Sequence, residues 1–292
     1  MLINKCKTIM LMTCLAGILM LFGYFIAGSN GLTIACIMAL TMNGVLYFFS
    51  DKIILTMYQA RPFDSTKYPD IDNMVHSLSQ QMGIPMPKLW LMTTPVANAF
   101  ATGRNPQHSS IVFTTGILQL LDPHEIRGVI AHELSHIYNR DILITTIAAT
   151  LATAIGYLAN MLQHRIFFES IHAKSSQRRS TLGVLATAVL MPFIALLIRL
   201  GISRSREYLA DETGAHTCQD PLALAAALQK LHNRTEHVSF TANEHHAATA
   251  SLFIVNPFST TNVMEMFSTH PPIEKRVAAL HKIHMNSKRW SL

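Results

Sequence analysis

The sequence is poor in charged residues, since Asp, Glu, Lys and Arg make up 14% of its 292 residues, against about 25% in a typical soluble domain. Half of the residues are hydrophobic. This composition argues against an ordinary soluble protein. It also argues against disorder, because disordered chains have too few apolar residues to form a core. The length allows membrane helices plus one globular domain of ordinary size.

Cysteine is also scarce, and the four cysteines, Cys6, Cys14, Cys36 and Cys218, show no C-x-x-C spacing. We therefore interpret them as free thiols that pack with other residues. The excess of positive charge is small, with 23 Lys and Arg against 17 Asp and Glu, and no basic block alternates with aromatic residues. We expect no nucleic-acid partner. Basic charge on a membrane protein more often sets its orientation against anionic lipid.

A long uncharged segment covers residues 8–50 and is interrupted once, at Gly28-Ser29-Asn30-Gly31. These residues are typical of a turn, and each half has about 20 residues, enough to cross the hydrocarbon core of a membrane. Residues 1–50 are therefore predicted to form a transmembrane hairpin, with Lys5 and Lys7 keeping the N-terminus in the cytosol. The alternative is a cleaved signal peptide followed by one anchor.

Two further uncharged segments, 142–161 and 181–198, predict a second apolar helical hairpin within residues 142–202. The second segment is short and contains Pro192. Their connection is rich in Lys and Arg, although a full crossing would place it outside the cell, against the tendency of basic loops to stay in the cytosol. A buried helical pair that does not cross completely is the alternative.

The remaining residues, 51–141 and 203–292, are mixed in polarity and predict a cytosolic region with helices and a small sheet. Helix boundaries are set by proline, glycine and capping residues, and strands by short β-branched and aromatic runs. Predicted helices cover residues 70–82, 221–233 and 272–285, and another runs from Pro123 through the first arm of the second hairpin. Predicted strands cover residues 88–93, 98–102 and 110–114, the last two joined by a turn at 103–106.

The sharpest chemical signal is His132-Glu133-Leu134-Ser135-His136, in a stretch predicted to be helical. Residues four apart share one face of a helix, so both imidazoles can bind one metal ion. Glu133 lies beside them and can take a proton from the attacking water. The alternative is a helix with two ordinary polar histidines. However, the apolar Val129-Ile130-Ala131 segment would bury this charged group, which is costly unless a cation compensates it.

A catalytic zinc ion usually has three protein ligands, and Glu207 is the best candidate for the third. Residues 136–160 and 182–207 are stretches of nearly equal length, so two continuous antiparallel helices would place Glu207 level with His136. Asp211, one turn later, would share that face and accept a hydrogen bond from a ligating histidine. The alternatives are an ion pair of Glu207 with a neighbouring arginine and a solvated Asp211.

The combined motifs resemble the HtpX family of bacterial heat-shock membrane proteases, in the zinc endopeptidase clan that includes the Ste24-type CAAX prenyl proteases. The resemblance covers nearly the whole chain, and the combination is much more specific than the zinc motif alone. It is carried by the N-terminal hairpin and by residues 98–103, 132–136 with 139–141, 203–211 and 268–276.

The resemblance implies one Zn²⁺ per subunit, held by His132, His136 and Glu207, with Glu133 as the general base. The implied fold is a mainly α membrane protein, in which two apolar helical hairpins accompany a cytosolic, zincin-like α+β metalloprotease domain with a small β-sheet.

The resemblance also implies an edge strand beside the cleft over residues 98–103. Such a strand offers unpaired backbone groups to an extended peptide, so Asn98, Ala99, Phe100 and Ala101 are the expected substrate-binding residues. A capped edge without a substrate role is the alternative.

Two residues near the C-terminus complete the expected site. His270 would donate to the oxyanion of the tetrahedral intermediate, with a helix cap or loop residue before Pro271-Pro272 as the alternative. Arg276 would orient the substrate region by pairing with a carboxylate.

The function implied is hydrolysis of peptide bonds in cytosolic parts of misfolded or damaged membrane proteins, by a multi-pass enzyme of the bacterial inner membrane. Its partners would be protein substrates, the lipid bilayer and other quality-control proteases. Alternatives are a CAAX-type prenyl-protein protease, for which four short spans are few, and a non-catalytic metal-binding membrane protein. An idle scaffold that binds unfolded segments is a further alternative.

Overall fold

The computed structural model describes residues 2–151, 203–237, 254 and 271–289. Within these ranges the chain is mainly helical and contains one small mixed sheet, as predicted. The helices are α1 (Leu2–Met57), α2 (Pro69–Met82), α3 (Thr115–Leu120), α4 (Pro123–Tyr138), α5 (Ile142–Leu151), α6 (Arg204–Cys218), α7 (Pro221–His237) and α8 (Ile273–Arg289). The strands are β1 (Arg61–Pro62), β2 (Lys88–Met92), β3 (Ala99–Asn105) and β4 (His108–Thr114).

Helix α1 consists of two apolar arms that meet at a sharp bend. Ala27 and Gly28 leave the helical geometry, and Gly28 has a φ of 57°, which glycine adopts without the strain that a Cβ would cause. The segments on either side, Thr8–Phe25 and Ala27–Met57, are each long and apolar enough to cross a membrane. The predicted interruption of the apolar run therefore corresponds to a real break in the helix.

The two arms of α1 contact each other through small and polar residues. A Cβ added at Gly31 would overlap the carbonyl oxygen of Gly23, so the backbones approach as closely as glycine allows. Farther along, Nδ2 of Asn43 donates a hydrogen bond to the carbonyl oxygen of Met12 at 3.3 Å. Small residues at such a contact are typical of helices that associate in lipid.

The sheet has the strand order β1-β2-β4-β3. The inner pair, β2 and β4, is parallel, whereas β1 and β3 pair antiparallel with their neighbours. Both β3 and β4 are longer than predicted, because their pairing continues past Gly103, whose φ of 139° accommodates an irregular register. Among the described strands β3 pairs only with β4, so its other side is an edge of the sheet.

Helix α4 lies at the centre of the domain and packs against α6, α7 and the sheet. Its start is fixed by Asp122, whose side chain accepts from the backbone N–H of Glu125, while Glu125 accepts from that of Asp122. The apolar residues Val129, Ile130 and Leu134 are buried in the main core. Burial on this scale fixes the helix that carries the zinc motif.

The prediction of one helix from Pro123 into the second apolar segment was wrong. Helix α4 ends at Tyr138, and α5 begins at Ile142. Between them Arg140 has a left-handed φ of 55°, and the N–H of Asp141 donates to the carbonyl oxygen of His136 at 3.2 Å. A left-handed residue followed by a backward hydrogen bond is a common way to end a helix. The turn directs the side chain of Asp141 back towards α4.

Most of the predicted second hairpin lies outside the described residues, including the segment 181–198 and the basic connection. Of that region the structure describes only the apolar helix α5, over Ile142–Leu151.

Helix α6 approaches α4 most closely at Gly214. An added Cβ would lie 3.0 Å from the backbone nitrogen of His132 and 3.1 Å from the carbonyl carbon of Ala131. Both atoms belong to the backbone of a buried helix, which has little freedom to move. The glycine therefore sets the distance between the helix with the two histidines and the helix with Glu207.

We expect Gly214→Val to destabilise the protein by about 1–3 kcal/mol, because the larger side chain forces α6 away from α4. Thermal unfolding in detergent, followed by circular dichroism, measures the effect. Gly44→Val is the control, since an added Cβ at Gly44 meets nothing within 4 Å. Equal unfolding temperatures for the two variants would contradict the close approach of α6 to His132.

Candidate metal centre

Three side chains from two helices converge on one point: His132 and His136 from α4, and Glu207 from α6. The Nε2 atoms of the histidines lie 3.1 Å apart. The nearest carboxylate oxygens of Glu207 lie 3.8 Å from Nε2 of His132 and 3.7 Å from Nε2 of His136. Tetrahedral zinc, with bonds of about 2.1 Å, separates neighbouring ligand atoms by about 3.4 Å. The donor set and its spacing therefore fit a zinc ion.

The electrostatic environment also favours a cation. Burial lowers the pKa of His136, but the carboxylates of Asp141, Glu207 and Glu133 outweigh burial and raise it to about 10. The raised pKa reports a strongly negative potential, which stabilises a divalent ion as it stabilises a proton. Burial lowers the pKa of His132, which favours the neutral imidazole that binds metal.

Glu133 lies beside the two histidines and is 3% exposed. Burial raises the pKa of Glu133 to about 8, and the charge of Glu207 adds to the rise. The backbone of Ala101 in β3 faces its carboxylate and lowers this pKa in part. A carboxyl group that titrates near neutral pH can both accept and return a proton. The same contact places this carboxylate next to the sheet edge.

A buried network links His132 to helix α8. Nδ1 of His132 lies 2.9 Å from Oδ1 of Asp211. Arg276 binds Asp211 with two hydrogen bonds of 2.7 Å each, donated from Nε and Nη2. The guanidinium also lies 3.5 Å from the Glu207 carboxylate. Asp211 is therefore held in place on one side and faces the imidazole of His132 on the other.

Arg276 is 0% exposed. Burial lowers its pKa, but the carboxylate of Asp211 outweighs burial and raises it. Conversely, burial raises the pKa of Asp211, but the guanidinium lowers it overall. Both groups are therefore charged. The expected pairing of Arg276 with a carboxylate is present, and full burial favours a role in positioning other side chains.

Asp141 is a partner of the site that was not predicted from the sequence. Both of its carboxylate oxygens lie 3.2 Å from Nδ1 of His136, and the residue is 1% exposed. The contact exists because the turn after α4 reverses the chain at Arg140. The signal that could have found it is the position of an acidic residue five places after His136, in the segment Asn139-Arg140-Asp141.

Asp141→Asn is expected to weaken zinc binding about 10–100-fold, because the carboxylate that orients His136 becomes a neutral amide. Zinc affinity is measured by competition with a chromophoric chelator. Asp70→Asn, at an exposed position in the first turn of α2, is the control. An affinity equal to that of the wild type would show that Asp141 does not support His136.

The residues expected to bind substrate lie at the sheet edge. Ala99, Phe100 and Ala101 belong to β3 and are buried, and Asn98 immediately precedes them. Because the N–H of Thr114 binds the carbonyl of Asn98, antiparallel alternation turns the backbone groups of Ala99 and Ala101 away from β4. These groups therefore face the edge beside Glu133.

Parts of that edge are occupied. The N–H of Gly103 donates to Oγ1 of Thr146 in α5 at 3.3 Å, and the backbone of Ala101 contacts Glu133. Oδ1 of Asn98 accepts a hydrogen bond from the backbone N–H of Ile254 at 3.1 Å. Helix α5 thus closes the edge at its far end. His270 lies outside the described residues.

The model of peptidase family M48 matches residues 65–284. The chain belongs to this family. Its M48 relatives include the protease HtpX homologs of Paraburkholderia phytofirmans, 46% identical over 95% of this chain and 96% of the relative, and Thermodesulfovibrio yellowstonii, 46% identical over 94% and 96%. The homolog from Aquifex aeolicus is 45% identical over 90% of this chain and 88% of its own.

A solved structure shares the fold. The crystal structure of S. mikatae Ste24p superposes with a TM-score of 0.52 over 96% of this chain, at 18% sequence identity. The present chain spans 66% of the length of that protein.

Membership of M48 confirms the predicted enzyme class. The chain is a metallopeptidase that acts on protein substrates, and the family implies a metal ion. The two apolar arms of α1 and the HtpX relatives together identify it as a membrane protease.

Proposed function

We propose that the chain is a multi-pass zinc endopeptidase of the bacterial inner membrane, with its catalytic domain facing the cytoplasm. Its substrates are cytosolic parts of misfolded or damaged membrane proteins, as part of the stress response. One observation carries the proposal: the convergence of His132, His136 and Glu207 beside the buried carboxyl group of Glu133.

The proposed topology has four parts. Residues 1–50 form a transmembrane hairpin, and residues 142–202 form a second apolar hairpin. The catalytic domain is built jointly by residues 51–141 and 203–292. Lys5 and Lys7 favour a cytosolic N-terminus. Nδ1 of His136 lies 3.2 Å from the carboxylate of Asp141, the residue directly before α5, so the metal centre lies close to the membrane surface if α5 enters the bilayer.

In this proposal one zinc ion is held by His132, His136 and Glu207. When bound, zinc polarises the scissile carbonyl and lowers the pKa of water towards about 7. Asp211 holds the ring of His132 in place, and Asp141 holds that of His136. Both carboxylates keep the Nε2 atoms directed at the same point.

Glu133 moves the proton. Its carboxylate takes a proton from the attacking water as the new C–O bond forms on the peptide carbonyl carbon. The protonated group then gives that proton to the nitrogen of the leaving amine as the C–N bond breaks. His270 is proposed to donate a hydrogen bond to the oxyanion between these steps.

The edge of β3 is proposed to bind the substrate as an added strand. Asn98, Ala99, Phe100 and Ala101 supply the edge, and pairing through backbone groups makes binding tolerant of sequence. Arg276 acts indirectly, by holding Asp211 in place. Because Glu133 contacts the backbone of Ala101, a peptide on this edge passes next to the general base.

The test uses the purified full chain in detergent and a model membrane protein with an unfolded cytosolic tail. We expect one zinc per subunit by elemental analysis, cleavage within the tail, loss of cleavage with a chelator and recovery on adding Zn²⁺. Cleavage that a chelator leaves unchanged, or protein that contains no divalent metal, would overturn the proposal. The scaffold alternative requires binding of the tail without cleavage.

The topology has its own test. Single cysteines are placed between residues 165 and 179 on a cysteine-free background and labelled with an impermeant reagent from each side of the membrane. Labelling from outside supports two complete crossings of the second hairpin. Labelling only from inside removes that part of the topology and leaves the catalytic proposal intact.

A further inference from the structure

A pocket of about 600 Å³ lies where the end of α1 meets the sheet. It is separate in sequence from every residue assigned to the metal centre. Its lining combines aromatic and basic side chains from three parts of the chain: Phe48, Phe49 and Lys52 from α1, Lys88 from β2, and Arg104 and His108 from the β3–β4 pair.

The position along α1 places this pocket at the level of lipid headgroups. The uncharged run ends at Ser50, and Asp51 and Lys52 are the next residues. The second arm begins at Ala27; its 24 residues up to Ser50 span about 36 Å at 1.5 Å per residue, enough to cross a hydrocarbon core of about 30 Å. Phe48 and Phe49 are 52% and 47% exposed, as expected for aromatic side chains at the boundary with lipid.

The pocket has an excess of positive charge. Lys52, Lys88 and Arg104 carry three permanent positive charges, against one negative charge from Asp51. Within the part of the chain that the structure describes, these three cations form no ion pair. Instead, Nζ of Lys52 lies 5.2 Å from the ring centre of Phe49. The guanidinium of Arg104 lies 5.2 Å from the ring centre of Phe48.

The backbone holds these cations in place. Lys88 opens β2 and is in register with Ser110 of β4, and Arg104 lies in β3 next to the turn. Nη1 of Arg104 reaches α1 and donates to the carbonyl oxygen of Phe48 at 3.5 Å. Lys88 and Arg104 from the sheet and Lys52 from α1 therefore border one cavity. The strands fix the positions of the first two residues before any ligand binds. Unpaired cations around a cavity of this size attract an anion.

We propose that this pocket binds the phosphate group of an anionic membrane phospholipid. Lysine and arginine are the side chains that bind phosphate most strongly, through charge-assisted hydrogen bonds. A free phosphate ion would meet the same cations. Only a lipid also brings acyl chains to the exposed Phe48 and Phe49, and basic pockets at this depth recognise lipid headgroups. The inference depends on the proposed membrane insertion of α1 but not on peptidase activity.

The test uses the full chain in an uncharged detergent and native mass spectrometry to count bound lipids. Phosphatidylglycerol and phosphatidylcholine with identical acyl chains are compared, and inorganic phosphate is a third arm. We expect tighter binding of phosphatidylglycerol, and the variant K52A/K88A/R104A is expected to bind it about 100-fold more weakly, at about fivefold for each basic side chain.

The control variant K67A/R234A/K282A removes the same residue types from exposed positions outside the pocket and should bind like the wild type. Zinc content reports whether the triple pocket variant is folded. Lys88→Gln alone, at an exposed side chain, gives a second measurement with an expected loss of about fivefold. Equal binding of the two lipids, equal losses in the pocket and control variants, or competition by inorganic phosphate as strong as that by phosphatidylglycerol would overturn the proposal.

Discussion

Replacing Glu133 by glutamine is expected to abolish peptide hydrolysis while zinc stays bound. Glutamine has nearly the same shape, but its amide cannot accept a proton from the attacking water. General-base catalysis contributes about 10²–10⁴-fold to a rate, so the loss in kcat should be at least of that order. The three proposed ligands, His132, His136 and Glu207, are unchanged in this variant.

Cleavage of the model membrane substrate and zinc content are measured on the same preparation. Glu212→Gln is the matched control, since Glu212 lies on α6 at an exposed position. It should keep full activity and full zinc content. Retained activity in Glu133→Gln would assign the proton transfer to another group. Loss of zinc would mean that Glu133 supports metal binding, which the structure does not require.

Replacing Arg276 by methionine is expected to destabilise the protein by about 3–5 kcal/mol. Arg276 is fully buried and satisfies both carboxylate oxygens of Asp211. Removing one partner of a buried ion pair leaves the other charge without compensation, which costs this much. Because Asp211 faces Nδ1 of His132, the variant should also bind zinc less tightly.

Unfolding temperature and zinc affinity report the two effects. Lys275→Met is the control, because its side chain is the exposed neighbour of Arg276 on α8. The double variant Asp211→Asn with Arg276→Met should be more stable than Arg276→Met alone, since it no longer buries an unpaired charge. If Arg276→Met were as stable as its control, the ion pair would not contribute to the fold.

The sequence predicted the parts of this protein that depend on local pattern. Hydrophobic length located the two arms of α1, and the i, i+4 spacing placed His132 and His136 on one face of a helix. Glu207 was expected to approach these histidines, and its carboxylate does lie near both Nε2 atoms. That expectation assumed one continuous helix from His136 into the second apolar segment, and the chain does not form that helix. Helix α4 stops before Asp141, and α6 is positioned by its own packing at Gly214.

The remaining features depend on contacts that no local pattern reports. The left-handed backbone at Arg140 turns Asp141 towards His136, and hydrophobicity does not register a change of backbone conformation. The hydrogen bond from the N–H of Gly103 to the hydroxyl of Thr146 joins a strand to a helix that is distant in sequence. Similarly, the pocket between α1 and the sheet forms only when Lys52, Lys88 and Arg104 are brought together by the tertiary fold.

The buried contact between Arg276 and Asp211 also bears on the biosynthesis of the enzyme. Arg276 follows His136 by 140 residues in the chain, so it leaves the ribosome well after the zinc motif. Until α8 docks, Asp211 has no guanidinium to hold it, and the ring of His132 lacks a fixed support. Nascent chains and chains truncated before α8 therefore hold the centre less firmly, so an incomplete copy is poorly equipped to cut its neighbours.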